Sequence, residues 1–204
     1  MRMIKNMIFD MGNVVVRWDP EAILKHFTAD PKQIEILKEV IFRSKEWLML
    51  DQGILNEKEV TEILCKRLET EELKEQCKEI LKHGLKYMPV FPETEKWIQQ
   101  LKQNGYSIYV LSNTSKVFYE YIQKQPVWQY FNGAILSYQE KLVKPDPRIY
   151  EVLCQRYQLN PQECCFFDDR KENIDAAISY GMKGFVFEIQ NIKELKEKVK
   201  QVGI

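Results

Sequence analysis

Two apolar segments of this chain end in aspartate, and together they supply three carboxylates. Residues 7–9 run into Asp10, and residues 164–167 run into Asp168 and Asp169. Short apolar runs of this kind, bounded by polar residues, are typical of buried strands in a parallel sheet. Ligands bind outside the carboxyl ends of such strands, so neighbouring strands would bring the three carboxylates together. Carboxylates that lie this close need a counter-charge, and Mg²⁺ prefers oxygen ligands. The pattern therefore predicts a magnesium site that handles phosphate.

Further polar side chains follow the other predicted strands or lie in the loops beside them. They are Ser112, Asn113, Lys144 and Asn173. The Ser112 hydroxyl and the backbone N–H groups after it can donate hydrogen bonds to phosphate oxygens. Lys144 precedes a proline, which favours an extended backbone at this position. Asn173 lies about one helical turn beyond Asp169, so we expect both to face the same site and Asn173 to support it. Serine and asparagine are also common in ordinary turns, and lysine in solvated loops.

The elements that must position these residues alternate along most of the chain. Strands are predicted at residues 7–9, 106–111, 133–136, 164–167 and 183–187, with helical patterns between the later ones. Alternation of this kind predicts an α/β fold with a Rossmann-like parallel sheet and right-handed crossovers. Residues 17–88 instead show helical patterns only. We predict a catalytic core formed by residues 1–16 and 89–204, with residues 17–88 inserted as a small helical cap domain above the carboxyl ends of the strands.

The composition narrows the classes of partner. Lys plus Arg and Asp plus Glu each number 30, so the chain has no net charge. Without a basic excess we expect no nucleic-acid partner and no attraction to anionic membranes. No run approaches the roughly 20 apolar residues of a membrane span, and the N-terminal apolar stretch is interrupted by Asn6 and Asp10. These features predict a cytoplasmic protein, a monomer or weak dimer, whose partner is a small phosphorylated molecule.

Four segments, in this order, resemble the motifs of the haloacid dehalogenase superfamily. The first is Phe-Asp-Met-Gly-Asn-Val at residues 9–14 and the second is Leu-Ser-Asn-Thr at residues 111–114. The third is Val-Lys-Pro at residues 143–145, and the fourth is Phe-Phe-Asp-Asp at residues 166–169 with Asn173. The resemblance covers the whole chain and is closest to subfamily I, which carries a helical C1 cap after the first motif.

The resemblance implies a role for each matching residue. Asp10 would be the nucleophile that forms an aspartyl-phosphate, which divides one difficult displacement into two easier steps. Lys144 would stabilise Asp10 and the phosphoryl group, with Ser112 and Asn113 binding the phosphate. The metal ligands would be Asp10, the Gly12 backbone carbonyl, Asp168 and Asp169, with Asp168 ligating directly or through a bound water. The implied activity is that of a Mg²⁺-dependent phosphoric monoester hydrolase.

One position departs from the family pattern. Most phosphatases of the family carry a second aspartate two residues after the nucleophile as general acid and base, whereas this chain has Gly12 followed by Asn13. The variant resembles sugar-1-phosphate phosphatases of the family. A positioned acid is worth roughly 10²–10⁴-fold in rate, so its absence favours leaving groups that need little protonation, or a substitute acid. Asp19 is one candidate substitute, although Asp-Pro at a helix start is more often an N-cap.

Two residues of the predicted cap are candidates for substrate specificity. Trp47 could stack on a sugar ring, although packing between cap helices is the favoured interpretation. Asp51, in the loop between two predicted cap helices, could reach the substrate.

The leading hypothesis is a Mg²⁺-dependent phosphatase of a small phosphorylated metabolite. One alternative is a 2-haloacid dehalogenase, which uses the same aspartate without metal but would leave the acidic pair at residues 168 and 169 uncompensated. The other is a catalytically weak phosphate-binding regulatory protein.

Overall fold

A computed structural model of the chain describes residues 3–201, and its centre is a parallel sheet. In this part of the chain the strands are β1 (Asn6–Phe9), β2 (Ser107–Ser112), β3 (Gly133–Leu136), β4 (Cys164–Asp168) and β5 (Lys183–Val186). Their order is β3-β2-β1-β4-β5, and every neighbouring pair is parallel. The predicted Rossmann-like α/β fold is confirmed. Because Phe9 of β1 is paired with Phe167 of β4, the two acidic strand ends are adjacent.

Residues 17–88, which follow β1, are helical, as the sequence indicates. They contain α1 (Pro20–Leu24), α2 (Pro31–Leu37), α3 (Lys45–Asp51), α4 (Glu57–Cys65) and α5 (Glu71–His83). A π-helical turn (Lys38–Phe42) continues α2. The predicted helix starts are present: Asp19 and Asp30 cap helices whose first residue is proline, and Asn56 forms a capping box with Glu59.

The remaining helices flank the sheet. They are α6 (Pro92–Gln103), α7 (Lys116–Ile122), α8 (Ser137–Glu140), α9 (Pro147–Tyr157), α10 (Lys171–Ser179) and α11 (Ile192–Gln201). The sequence analysis did not predict α8, because a helix of one turn is too short to show a periodic pattern. Among the described residues, no helix combines the length and the apolarity that crossing a bilayer requires.

The two segments in which the chain passes between the sheet and the inserted helices run side by side. Arg17 N–H donates to the Pro89 carbonyl and Phe91 N–H donates to the Val15 carbonyl, both at 2.9 Å. Val16 and Val90 form an antiparallel bridge between them. The two segments therefore lie together at the position where the sequence predicts the boundaries of the cap.

Hydrophobic packing joins the sheet to the inserted helices. On one face of the sheet, Phe9 stacks on Phe167 with ring centroids 4.9 Å apart, and Trp97 of α6 packs edge-on against both rings. The cluster that contains these rings continues without interruption into buried residues of α2, α4 and α5. Alternate strand residues, among them Ile8 and Phe166, face α9 and α10 on the other side of the sheet. The strand ends therefore rest on a close-packed base.

We expect Phe167→Ala to reduce the free energy of unfolding by roughly 3–5 kcal/mol, because it leaves a cavity beneath Phe9 and Trp97. Urea denaturation followed by far-UV circular dichroism measures the change. Val186→Ala is the matched control on edge strand β5, where the side chain is 41% exposed, and should change stability by less than about 1 kcal/mol. Equal effects of the two substitutions would contradict this account of the core.

Candidate active site

Lys144 links the two acidic strand ends. Its Nζ lies 2.8 Å from Oδ1 of Asp10 and 2.6 Å from Oδ2 of Asp168, and it donates to the Leu111 carbonyl at 2.8 Å. Lys144, Asp10 and Asp168 are all buried. A buried ion pair is tolerated when its remaining polar atoms are also hydrogen-bonded, and here each proton of the ammonium group has an acceptor. The structure thus brings together the predicted nucleophile and the predicted catalytic lysine.

Asp168 is held on every side by protein groups. Its oxygens accept hydrogen bonds from Nδ2 of Asn173 at 2.9 and 3.0 Å, from Arg170 N–H at 2.9 Å and from Lys144. It is fully buried and does not line the cavity described below. Asn173 thus contacts Asp168 and lines the same cavity as Asp169. The shared site does not arise from a common helical face, because α10 begins only at Lys171, after Asp169.

Asp169 faces the cavity and is oriented by the segment after the predicted nucleophile. Asn13 Nδ2 donates to Oδ2 of Asp169 at 3.0 Å, and Asn13 Oδ1 accepts from Trp18 N–H at 3.1 Å. Asn13 has φ of 55°, a left-handed conformation that asparagine tolerates better than most residues. Sequence reasoning noted Asn13 only as part of a variant motif. Because it is 156 positions from Asp169, no spacing rule could have revealed the contact.

The predicted phosphate-binding pair lies at the end of β2. Ser112 is buried and lines the cavity beside Asp10. Asn113 also lines it, but its side-chain amide bonds the backbone of Lys144 twice: Nδ2 donates to the carbonyl at 2.9 Å and Oδ1 accepts from the N–H at 2.7 Å. Asn113 therefore fixes the loop that carries Lys144.

Burial and neighbouring charges set the protonation of this cluster. Burial raises the pKa of Asp10 to about 6, with Lys144 opposing the shift and Asp168 adding to it. Burial likewise raises the pKa of Asp169. For Lys144, burial acts to lower the pKa, but attraction to Asp10 and Asp168 outweighs it and the net shift is upward. Lys144 is therefore a cation, and one ammonium group faces three carboxylates.

The residues present fit a hard divalent cation. Asp10, Asp168 and Asp169 each offer an oxygen, and these atoms lie within 4.8 Å of one another. Oδ1 of Asn173 is buried at the same place and has no hydrogen-bond partner among the described residues. Excess negative charge, an all-oxygen donor set and a free acceptor are the conditions that Mg²⁺ and its bound waters require.

A cavity of about 520 Å³ separates this cluster from the inserted helices. The core side of the cavity is formed by Asp10, Gly12, Ser112, Asn113, Lys144 and Asp169, and the opposite side by Phe42, Trp47, Leu48, Asp51 and Gln52, with Trp18, Leu85 and Met88 beside them. Both predicted specificity residues, Trp47 and Asp51, lie on this second side. Trp47 also packs against Trp18 and Phe42, with ring centroids 5.5 and 4.9 Å away.

Asp19 lies elsewhere. Its side chain accepts from Ala22 N–H at 3.0 Å as the N-cap of α1, and it does not line the cavity. This geometry supports the capping interpretation.

Sequence reasoning did not identify the aromatic wall or Arg170. Phe42 and Trp18 have no motif around them, and isolated aromatic residues in a helical region are usually core. Arg170 lines the cavity directly after Asp169, and its guanidinium pairs with Glu172 at 2.5 Å.

Polar contacts fasten the end of α3 to the core. Ser137 Oγ donates to the Asp51 carbonyl and accepts from Thr114 N–H at 2.7 Å. Gln52 Nε2 donates to the Lys141 carbonyl at 3.2 Å, and Lys141 Nζ donates to the Gly53 carbonyl. We call these contacts the α3 clamp. The clamp holds Asp51 and Gln52 over the cavity.

A Rossmann-like sheet, an acidic cluster at its strand ends and an inserted helical lid define a class of α/β hydrolases. Residues 4–181 match the description of the haloacid dehalogenase-like hydrolases. The chain belongs to this family, as its motifs predicted.

The sequence identity to individual family members is modest. The chain is 30% identical to (S)-2-haloacid dehalogenase 4A from Burkholderia cepacia over 105 residues, which cover 51% of this chain and 46% of that protein. It is 26% identical to D-ribitol-5-phosphate phosphatase from Bacteroides thetaiotaomicron over 204 residues, which cover 90% of this chain and 91% of that protein.

A crystal structure of another family member from Bacteroides thetaiotaomicron, an aspartate-to-alanine variant in complex with magnesium and inorganic phosphate, superposes with a TM-score of 0.72. The two chains are 20% identical, with 90% of this chain and 93% of that one covered. The similarity establishes a common fold.

We expect Lys144→Met to lower the free energy of unfolding by roughly 3–5 kcal/mol, because Asp10 and Asp168 then stay buried without their counter-charge. Chemical denaturation measures the loss. Lys171→Met is the control, since its ion pair with Asp175 is exposed and should contribute less than about 1 kcal/mol. A Lys144→Met protein as stable as the control would show that the buried cation is not needed for folding.

Proposed function

We propose that the protein is a Mg²⁺-dependent phosphatase of small phosphorylated metabolites that works through an aspartyl-phosphate on Asp10. The observation that carries the proposal is the buried Asp10 at the floor of the cavity, oriented by Lys144 and adjacent to a second, cavity-facing carboxylate on Asp169. Family membership supports the hydrolase chemistry. A relative matched over most of both chains is a D-ribitol-5-phosphate phosphatase.

The geometry of Asp10 suits nucleophilic attack on phosphorus. Lys144 donates to Oδ1 and so fixes the orientation of the carboxylate, which lines the cavity. As the bond from Asp10 to phosphorus forms, the bond from phosphorus to the leaving oxygen breaks. Lys144 offsets negative charge on the phosphoryl oxygens, and Ser112 with the N–H groups that follow it can donate to them. Water then hydrolyses the aspartyl-phosphate and regenerates Asp10.

The metal would be held by Asp10, Asp169 and the backbone carbonyl of Gly12, with Asp168 in support behind Lys144. When bound, Mg²⁺ supplies positive charge that offsets the carboxylates and the phosphate. Oδ1 of Asn173, which has no hydrogen-bond partner in residues 3–201, lies beside the cluster and would accept a hydrogen bond from a water molecule there. Asn13 donates a hydrogen bond to Oδ2 of Asp169 and so restricts the orientation of that carboxylate.

The cavity favours a small organic phosphate. Its volume of about 520 Å³ holds a phosphate with a modest organic group. Phe42 and Trp47 lie on the far wall with Trp18 beside them, so an aromatic surface faces the organic part of a substrate. A sugar phosphate, including a sugar 1-phosphate, is therefore a suitable test substrate.

The dehalogenase alternative is weaker. Partial similarity to a 2-haloacid dehalogenase favours it. However, a metal-free enzyme would leave Lys144 alone to offset the three carboxylates of the cluster, and the match spans about half of each chain.

We expect Mg²⁺-dependent phosphate release from a panel of sugar, alkyl and aryl phosphates, lost on adding chelator. Asp10→Asn should lower kcat by at least about 10³-fold, because only binding and electrostatic contributions then remain. A colorimetric phosphate assay measures both effects. Halide release from a 2-haloacid in chelator, without phosphate release from any member of the panel, would establish the dehalogenase instead.

We also expect Mg²⁺ to stabilise the folded protein independently of turnover. At 100 times its dissociation constant, the ion should add about 2.7 kcal/mol, because it binds the folded state only. Asp169→Asn should remove this stabilisation, whereas Asp175→Asn, on the exposed face of α10, should retain it. Differential scanning calorimetry with and without Mg²⁺ measures the change. A magnesium-induced shift in Asp169→Asn equal to that of the wild type would remove Asp169 from the metal site.

A further inference from the structure

We propose that Asp51, on the inserted cap, is the general acid and base that Gly12 does not provide. This inference rests on the proposed phosphatase function and identifies one further catalytic residue for it. Asp51 would protonate the leaving-group oxygen and later activate the water that hydrolyses the aspartyl-phosphate.

Asp51 lies on the opposite side of the cavity from the acidic cluster. Among the described residues that line the cavity, the carboxylates are Asp10, Asp51 and Asp169. Asp10 and Asp169 belong to the acidic cluster on the core side. Asp51 is contributed from the opposite side, at the end of α3, where the organic part of a phosphate ester would lie. The leaving oxygen joins that organic part to phosphorus, so it lies between Asp10 and the cap.

Hydrogen bonds fix the backbone of Asp51 relative to the core. The Asp51 carbonyl accepts a hydrogen bond from Ser137 Oγ, which in turn accepts from Thr114 N–H. Thr114 lies two residues after Ser112, in the loop that we assign to phosphate binding. Ser137 is therefore a positioning residue that ties the backbone of Asp51 to the phosphate loop. The rest of the α3 clamp adds Gln52, Gly53 and Lys141 to this link.

The surroundings of the Asp51 carboxyl group favour its protonated form. Burial raises the pKa of Asp51 to about 8, against a hydrogen bond from Trp47 that acts to lower it. The charged groups that share the cavity from the core side are Asp10, Lys144, Asp169 and Arg170, and Lys141 lies nearby with its Nζ on the Gly53 carbonyl. Lys144 is paired with Asp10, and Arg170 with Glu172. With its pKa raised, Asp51 keeps its proton at neutral pH and can donate it.

The proposed steps balance. Asp10 attacks phosphorus, the bond to the leaving oxygen breaks, and that oxygen takes the proton of Asp51 and departs as an alcohol. Asp51, now a carboxylate, accepts a proton from water as the water oxygen attacks the phosphorus of the aspartyl-phosphate. The bond between phosphorus and Asp10 breaks, inorganic phosphate is released, and Asp51 is protonated again.

Leaving groups of different basicity test the proposal. The probes are an alkyl phosphate that the wild-type enzyme hydrolyses and p-nitrophenyl phosphate, whose leaving group needs no proton. In Asp51→Asn, kcat/KM should fall by about 10²–10⁴-fold with the alkyl phosphate and by less than about tenfold with p-nitrophenyl phosphate. The value of kcat/KM is the proper comparison because it reports phosphoenzyme formation and not the later hydrolysis. Retained p-nitrophenol release also shows that the variant is folded.

A pH profile and a matched control complete the experiment. With the alkyl phosphate, wild-type kcat/KM should decline at alkaline pH as the acid loses its proton, and Asp51→Asn should lack this decline. Glu62→Gln, which removes an exposed carboxylate of the same cap, should match the wild type with both substrates.

The outcomes separate the two proposals. Equal loss of kcat/KM with both substrates, or no loss with either, overturns the role of Asp51 while the phosphatase assignment stands. A wild-type enzyme that releases phosphate from neither probe, nor from any member of the wider panel, overturns the phosphatase assignment and this inference with it.

Discussion

The buried ion-pair network of Asp10, Lys144 and Asp168 is the constraint on which the rest of the site depends. Removing these charges from water is costly, and the structure compensates by giving each proton of Lys144 an acceptor and each oxygen of Asp168 a donor. That arrangement requires β1 and β4 to be neighbours and requires Asn113 to fix the loop that carries Lys144. The sheet order, the two hydrogen bonds of Asn113 and the start of α10 therefore all help to stabilise the same buried charges.

In the proposed function, the catalytic chemistry and the recognition of the organic group come from different parts of the chain. The strand ends and loops of the core supply the anionic cluster and its cation, whereas the inserted helices supply an aromatic wall and Asp51. An apolar core that runs through both parts, together with the α3 clamp, holds the two parts in a fixed relative position. Substitution of the usual acidic position by Gly12 thus need not disable the site, because the facing wall presents a carboxyl group of its own.

Much of this architecture could be predicted from sequence because buried parallel strands leave a strong local signal. Residues 7–9 and 164–167 are all apolar, since both sheet faces are covered, and helix starts such as Asp19 and Asn56 follow capping chemistry. Contacts between distant residues leave no such trace. Asn13 meets Asp169 only because two strands happen to be adjacent. The contact of Asn173 with Asp168 depends on where α10 begins, and the aromatic wall on how the cap helices pack.

The central position of β1 also governs when the native sheet can form. Asn6 is paired with Ser107 on one side, a separation of about 100 residues, and such distant pairings slow folding through loop-closure entropy. On the other side its partner is Cys164, 158 residues away. During synthesis one edge of the first strand therefore remains unpaired until most of the chain has left the ribosome. The cap helices make mainly local contacts and can form earlier. Nascent chains that end before residue 164 lack β4 and leave one edge of β1 unpaired, so chaperone dependence and aggregation should be greatest for them.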